Sequence, residues 1–204
     1  MNLEEIKKKT EAFVREELFT LEPWILNVEW EEKLPKLNEL REKVKSMGLW
    51  LPQISKEYGG LGLTNAEHGE VSEILGASPY GHYCFNCQAP DAGNMEILIE
   101  FGTDKQKETY LYPLLKGEIR SCFAMTEPDH AGSNPVKMGT IAAKENGNYV
   151  INGHKWFTSG FDGATFAIVM LVSNPDASAP HKKASQIIVP TSSEGLEFVR
   201  NISI

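Results

Sequence analysis

The run Phe123-Ala-Met-Thr-Glu-Pro-Asp-His-Ala-Gly-Ser133 lies where the chain changes from a helical to an extended pattern. It begins like a strand, turns at Pro128 and passes through small residues to Ser133. Such a run can direct backbone N–H groups and the hydroxyls of Thr126 and Ser133 at one polar ligand. A second polar and aromatic run, Asn152-Gly-His-Lys-Trp-Phe-Thr-Ser-Gly160, follows further along the chain. Together the two runs predict where the protein binds a polar ligand.

Helical signals dominate residues 1–117. Capping boxes mark helix starts, and glycine or proline marks the ends. Three such boxes pair Asn2 with Glu5, Thr64 with Glu67 and Thr103 with Gln106. The predicted helices are 2–47, broken at Pro23 and Pro35 so that the last part covers 36–47, then 64–76, 91–101 and 104–115.

Extended patterns replace helical ones after residue 117. Asn146-Gly147 is a strong signal for a type I′ hairpin turn. A switch from consecutive helices to consecutive strands indicates an α+β chain, with a helical domain over 1–117 and a β-domain over 118–204. The predicted strands are 118–126, 137–144, 149–151, 155–159, 165–172, 185–190 and 195–204.

Length, composition and net charge exclude some classes of function. The chain has 204 residues, 41% of them hydrophobic and 24% charged, as in an ordinary globular protein. A net charge of −8 argues against a nucleic-acid surface, and no apolar run is long enough to span a membrane. Three cysteines and no signal-peptide pattern indicate a reducing compartment, so we expect a cytoplasmic protein.

Several motifs of catalytic and metal sites are incomplete in this sequence. Cys84-Phe-Asn-Cys87 has the spacing of a zinc or redox pair, but no second pair follows, and two buried thiols are the simpler interpretation. Glu127, Asp129 and His130 lack a distant partner ligand, so we expect no metal site there. Ser133 is outside a Gly-x-Ser-x-Gly elbow, and no phosphate-binding glycine motif is present.

The second run allows two interpretations. Side chains alternate along a strand, so a strand over 155–159 places Phe157 and Ser159 on one face. A ring beside a hydroxyl suits a flat heteroaromatic ligand with a hydrogen-bonding edge. The alternative is that both runs are only strand ends and turns of a β-domain.

The chain resembles the acyl-CoA dehydrogenase family. Met125-Thr-Glu-Pro128, Gly132-Ser133, Val150-Ile-Asn-Gly153, Lys155 and the Trp-Phe-Thr-Ser-Gly run are similar to the two flavin-contacting signatures of that family, in order and spacing. Leu49–Leu63 and Phe101–Gly117 resemble its helical domain. Cys87–Glu96 is similar to a subgroup of eukaryotic multidomain members and bacterial relatives. The resemblance implies a partial β-barrel-like domain after the helices.

The resemblance implies a role for each matched residue. The Thr126 hydroxyl and the backbone around Met125 would bind the pyrimidine edge of FAD, and Ser133 would lie near its pyrophosphate and the CoA part of the substrate. Phe157 would pack against the isoalloxazine, with the Ser159 hydroxyl near flavin N5. The complete implied cofactor set is Phe123, Met125, Thr126, Gly132, Ser133, Trp156, Phe157, Thr158 and Ser159.

The implied reaction is α,β-desaturation of an acyl-CoA thioester, with an electron-transferring flavoprotein as partner and a homodimer or homotetramer as the assembly. Family members carry their catalytic Glu in a C-terminal helical bundle, and no residue of this sequence matches it. We therefore expect this chain alone to be inactive and to bind FAD poorly. The alternatives are a non-catalytic scaffold module or half of a split protein, and a flavin oxygenase or nitroalkane-oxidase relative.

Overall fold

The computed structural model describes residues 1–131 and 134–202. The chain forms two compact units, Met1–Ala92 and Gly93–Ile204. The boundary predicted at residue 117 is a different division, drawn where helices give way to strands, and it stays a prediction. Every helix of the described residues is too short or too polar to cross a bilayer.

Helices build the first unit. The capping boxes predicted at Asn2 and Thr64 are confirmed, because each side chain accepts the N–H of the glutamate three residues later. A π-helical turn, Val14–Leu18, joins the first two helices. The helices are α1 (Leu3–Phe13), α2 (Phe19–Ile25), α3 (Trp30–Ser46), α4 (Asn65–Leu75) and α5 (Gly81–Cys84), and α6 (Asp91–Phe101) begins at the end of this unit.

The predicted proline breaks were wrong in position. Pro23 lies inside α2, and Pro35 lies in the second turn of α3. Near the N-terminus of a helix, proline removes one backbone donor but the helix can continue. Leu37 and Val44 are fully buried on the following turns, and their burial stabilises the helical conformation through and beyond Pro35.

The core of the first unit is mostly aliphatic and also contains an aromatic pair and two free thiols. Phe13 meets Phe85 edge to face, with ring centroids 5.4 Å apart. Cys84 and Cys87 are buried and unbridged. Burial raises the pKa of each thiol to about 12, so both are protonated at neutral pH. They pack as small hydrophobic side chains.

The second unit contains the rest of α6, a broken helix and a mixed sheet. The capping box at Thr103 is confirmed, and α7 (Asp104–Gln106), a π-helical turn and α8 (Tyr112–Lys116) follow. The described strands are β1 (Ser121–Ala124), β2 (Ile141–Glu145), β3 (Asn148–Asn152), β4 (Phe166–Val172) and β5 (Ala184–Pro190).

β4 is the centre of the sheet. It pairs in parallel with β1, and antiparallel with β5 over its whole length, and it touches the end of β2. β2 and β3 form the predicted hairpin, where Asn146 and Gly147 have φ values of 51° and 83°, as a type I′ turn requires. Cys122, Ala142 and Leu171 lie in the buried core of the sheet. Helices followed by a partial mixed sheet confirm the α+β prediction.

Two predicted strands were wrong. Residues 155–159 form an irregular turn, in which Phe157 has a left-handed φ of 48° and the Ser159 N–H donates to the Phe157 carbonyl at 3.1 Å. A residue in the left-handed region departs from extended backbone geometry, so the regular strand pattern does not run through Phe157. Residues 195–202 are also irregular, beginning with a turn closed by Leu196 on Ser193.

Candidate functional site

The structure brings the two sequence runs together beyond the end of β1. The Thr126 hydroxyl donates to the Trp156 carbonyl at 2.6 Å, and the Trp156 N–H donates to the Thr126 carbonyl at 3.0 Å. The Lys155 ammonium adds a third link, donating to the Met125 carbonyl at 2.8 Å. These contacts fix the backbone of the second run against that of the first.

Glu127 is the buried anchor of this arrangement. Its carboxylate accepts the N–H of Gly139 at 2.6 Å and of Thr140 at 2.9 Å, and it pairs with the Lys155 ammonium at 2.8 Å. His130 approaches the same carboxylate through Nδ1 at 3.0 Å. The sequence suggested only a turn residue here, because the 28-residue separation from Lys155 leaves no local signal.

The contacts of Glu127 decide its charge. Desolvation favours the neutral acid, but the hydrogen bonds from Lys155, Thr140 and Gly139 together outweigh it and lower the pKa of Glu127 to about 2. Burial lowers the pKa of Lys155, and the bond to Glu127 opposes that effect. At neutral pH the carboxylate is therefore charged and held by its donors.

Two aromatic rings lie exposed beside this anchor. Trp156 is 39% exposed and Phe157 is 57% exposed, and their ring centroids are 4.9 Å apart at an interplanar angle of 63°. Within the part of the chain that the structure describes, the N–H groups of Phe157 and Thr158 have no acceptor. Exposed rings beside unpaired donors fit a flat ligand with a hydrogen-bonding edge, as an isoalloxazine ring has.

The other predicted cofactor residues have different surroundings. Phe123 is half-buried in β1, on the face opposite the core residues Cys122 and Ala124. Ser159 is exposed. The expected strand face shared by Phe157 and Ser159 is wrong, because no strand forms there. Gly132 and Ser133 lie outside the described residues.

The described residues near Glu127 do not assemble a metal site. Residues 1–131 and 134–202 contain no group of three or more His, Cys, Asp or Glu side chains that could hold a metal ion. Of the acidic and imidazole groups in the first run, Glu127 and His130 contact each other, and Asp129 is exposed. The carboxylate of Glu127 is already engaged by backbone and ammonium donors.

Comparisons with known proteins define the class of protein. The acyl-CoA dehydrogenase N-terminal domain matches residues 2–118, and the middle domain of the same family matches residues 122–203. A mouse (Mus musculus) protein named acyl-CoA dehydrogenase family member 10 is 41% identical over 204 residues, covering 94% of this chain and 19% of the mouse protein.

Solved structures agree with these matches. A Mycobacterium abscessus protein described as an acyl-CoA dehydrogenase superposes with a TM-score of 0.88 and 34% identity, covering 95% of this chain and 51% of its own. An acyl-CoA dehydrogenase from Bacillus anthracis, solved in complex with FAD, superposes with a TM-score of 0.68 and 26% identity, covering 95% and 32%.

The chain therefore belongs to the acyl-CoA dehydrogenase family. It spans about half of the Mycobacterium abscessus chain, about a third of the Bacillus anthracis chain and about a fifth of the mouse protein. The middle-domain match over residues 122–203 includes both runs described above.

Proposed function

We propose that this chain supplies the flavin-binding surface of an FAD-dependent acyl-CoA dehydrogenase. The observation that carries the proposal is the exposed ring pair of Trp156 and Phe157, tied to Thr126 by two hydrogen bonds. The exposed part of each ring adds nothing to the stability of the fold, whereas a ligand that covers the rings buries that apolar area. The FAD-bound Bacillus anthracis relative supports flavin as that ligand.

Each residue of the surface has a proposed role. The Thr126 hydroxyl, whose proton is donated to the Trp156 carbonyl, accepts a hydrogen bond from the pyrimidine edge, and the Met125 backbone binds the same edge. Trp156, Phe157 and the N–H of Thr158 face the ring system. Ser159 places its hydroxyl near N5. Phe123 supports this surface from β1, and Gly132 and Ser133 are proposed to lie near the pyrophosphate and the CoA portion of the substrate.

The proposed reaction is α,β-desaturation of an acyl-CoA thioester. When bound, FAD supplies the hydride acceptor. This chain's own residues orient that acceptor and shield one face of it, but removal of the α-proton needs a carboxylate base. No residue here matches the base of the family. An electron-transferring flavoprotein as partner, a homodimer or homotetramer and a cytoplasmic location remain predictions.

A titration of the 204-residue chain with FAD tests the site. We expect weak binding, in roughly the micromolar to millimolar range. Thr126→Val removes the hydroxyl and is expected to weaken binding roughly tenfold. Thr109→Val is the matched control, because the Thr109 hydroxyl also donates to a backbone carbonyl, that of Lys105 at 2.8 Å. Equal effects of the two substitutions, or no binding at millimolar FAD, would contradict the proposal.

An activity assay tests whether this chain binds the flavin without supplying the catalytic base. The chain alone, loaded with FAD, is expected not to reduce a dye acceptor with any acyl-CoA, because it offers no matched base. The measurement compares dye reduction with and without chain across short and long acyl groups. Turnover above the flavin-only rate would show that a base is present among these residues.

A further inference from the structure

The Lys155 ammonium donates hydrogen bonds to two acceptors at once. Its Nζ atom lies 2.8 Å from the Met125 carbonyl oxygen and 2.8 Å from Oε1 of Glu127. The side chains of Lys155 and Glu127 are only 11% and 4% exposed. A lysine this buried keeps its charge only when its donors are paired, so both bonds are integral to the site.

The Met125 carbonyl is one end of a peptide group whose other end is the Thr126 N–H. Hydrogen bonding to the carbonyl polarises the whole group and makes the N–H a stronger donor. Among residues 1–131 and 134–202, the N–H of Thr126 has no acceptor, although the Thr126 hydroxyl and carbonyl are both engaged with Trp156. The polarised donor is therefore available to a ligand.

We propose that Lys155 is a positioning residue that polarises the Met125–Thr126 peptide and directs the Thr126 N–H toward the flavin. This inference rests on the proposed function for its ligand. Glu127 fixes the ammonium, since its other oxygen is occupied by the N–H of Gly139. Lys155 thus acts through the backbone, without touching the ligand.

The experiment uses ¹⁵N-labelled 204-residue chain. Lys155→Met and Lys155→Gln remove the charge, Lys155→Arg keeps a charged donor, and Lys144→Met removes an exposed lysine from β2 as the matched control. The first readout is the Thr126 amide proton resonance without FAD, compared with that of Trp156, whose N–H donates to the Thr126 carbonyl. Loss of polarisation shifts Thr126 most, whereas a general loosening of the two runs shifts both resonances. The second is the FAD dissociation constant from the same titration.

We expect the Thr126 resonance to move upfield in Lys155→Met and Lys155→Gln, with FAD binding weakened roughly tenfold or more, as for loss of a charge-assisted bond. Lys144→Met stays close to wild type. Lys155→Arg falls between Lys144→Met and the charge-removing variants, because it keeps a charged donor but a planar guanidinium fits a buried carboxylate and carbonyl less well than an ammonium. If Lys155→Met fails to fold, Lys155→Gln supplies the comparison.

The outcomes separate this inference from the proposed function. An unchanged Thr126 resonance and an unchanged FAD dissociation constant in the charge-removing variants overturn the role of Lys155. A shifted resonance in a chain whose wild type does not bind FAD keeps Lys155 as the polarising group and overturns the flavin as its ligand.

Discussion

Two regions of this chain combine a buried cation, aromatic rings and a left-handed residue. In the arginine cluster of the first unit, Arg41 is 4% exposed, and its guanidinium lies 5.1 Å from the Trp50 ring centroid and 4.6 Å from that of Tyr83. It also donates to the Tyr83 hydroxyl at 3.1 Å and to Oδ1 of Asn86 at 3.0 Å. The rings of this cluster are used in holding the charge.

The lysine site of the second unit consists of Lys155, Glu127, Trp156 and Phe157, and it stabilises its buried cation in a different way. A carboxylate, Glu127, balances Lys155, so the neighbouring rings of Trp156 and Phe157 are not needed to hold the charge and remain exposed. A planar guanidinium suits stacking, whereas a compact ammonium suits a carboxylate and a carbonyl. Aromatic rings beside a buried cation thus belong to a core in one unit and stay exposed in the other.

The left-handed residues sharpen the contrast. Asn86 has a φ of 55° and Phe157 a φ of 48°. Asparagine tolerates this conformation, and the side chain of Asn86 is buried against Arg41. Phenylalanine does not favour it, and the ring of Phe157 is mostly exposed. Backbone strain that side-chain packing does not offset is typical of functional sites.

The largest effect is expected from removing the anion of the lysine site. Glu127→Ala leaves the buried ammonium of Lys155 and two backbone N–H groups without their acceptor, which costs roughly 3–5 kcal/mol. Glu145→Ala, on the exposed end of β2, is the control and should stay within about 0.5 kcal/mol. Urea unfolding measures both. A loss below about 1 kcal/mol for Glu127→Ala would mean that the ion pair is not holding the site.

Acid should weaken the lysine site and leave the arginine cluster intact. The pKa of Glu127 is about 2 in the folded chain, against roughly 4.3 when unfolded, so the unfolded state binds the proton first as pH falls. The stabilisation is complete above pH 4.3 and is lost on going down to about pH 2, an effect of roughly 3 kcal/mol.

The comparison of wild type with Glu127→Gln isolates this contribution, because the amide cannot titrate. The difference in unfolding free energy between the two chains should shrink as the pH is lowered from 5 toward about 2.5. A difference that is constant over this range would show that another carboxylate carries the acid dependence.

A smaller effect tests the arginine cluster. Asn86→Gly keeps the left-handed conformation without strain but removes the acceptor of the Arg41 bond, so we expect a loss of about 2 kcal/mol. Asn146→Gly is the matched control, because Asn146 has a φ of 51° in the exposed hairpin turn, and it should change stability by less than about 0.5 kcal/mol. Thermal unfolding of both variants is the measurement. Similar stability changes in the two variants would mean that Asn86 contributes only its left-handed backbone conformation.

Local signals explain what the sequence predicted correctly. A capping box links residues three apart, and the Asn146-Gly147 turn needs only its own two φ angles, so both are readable without the fold. The bounds of β4 and β5 follow from continuous β-branched and apolar runs for the same reason.

Long-range contacts explain what it missed. The alternation around Trp156 predicted a strand, but the Thr126–Trp156 hydrogen bonds join residues 30 apart, and the Glu127–Lys155 pair joins residues 28 apart. These contacts override local preference and hold Phe157 in a turn. The resemblance predicts which residues form a flavin site, and that stays a prediction, while the buried anchor of Glu127 and Lys155 beside them required the structure.

The smallest effect isolates the strain at Phe157. Phe157→Ala removes the ring but keeps a β-carbon at φ 48°, whereas Phe157→Gly also removes the β-carbon that makes this conformation unfavourable. The glycine variant should therefore be more stable than the alanine variant by about 1 kcal/mol, while both lose FAD affinity to the same extent because both lose the ring. Equal stabilities would place no strain at this position, and Phe157 would then differ from Asn86 only in its exposure. A gain in stability at the expense of binding would show that the turn is held in its shape for the ligand.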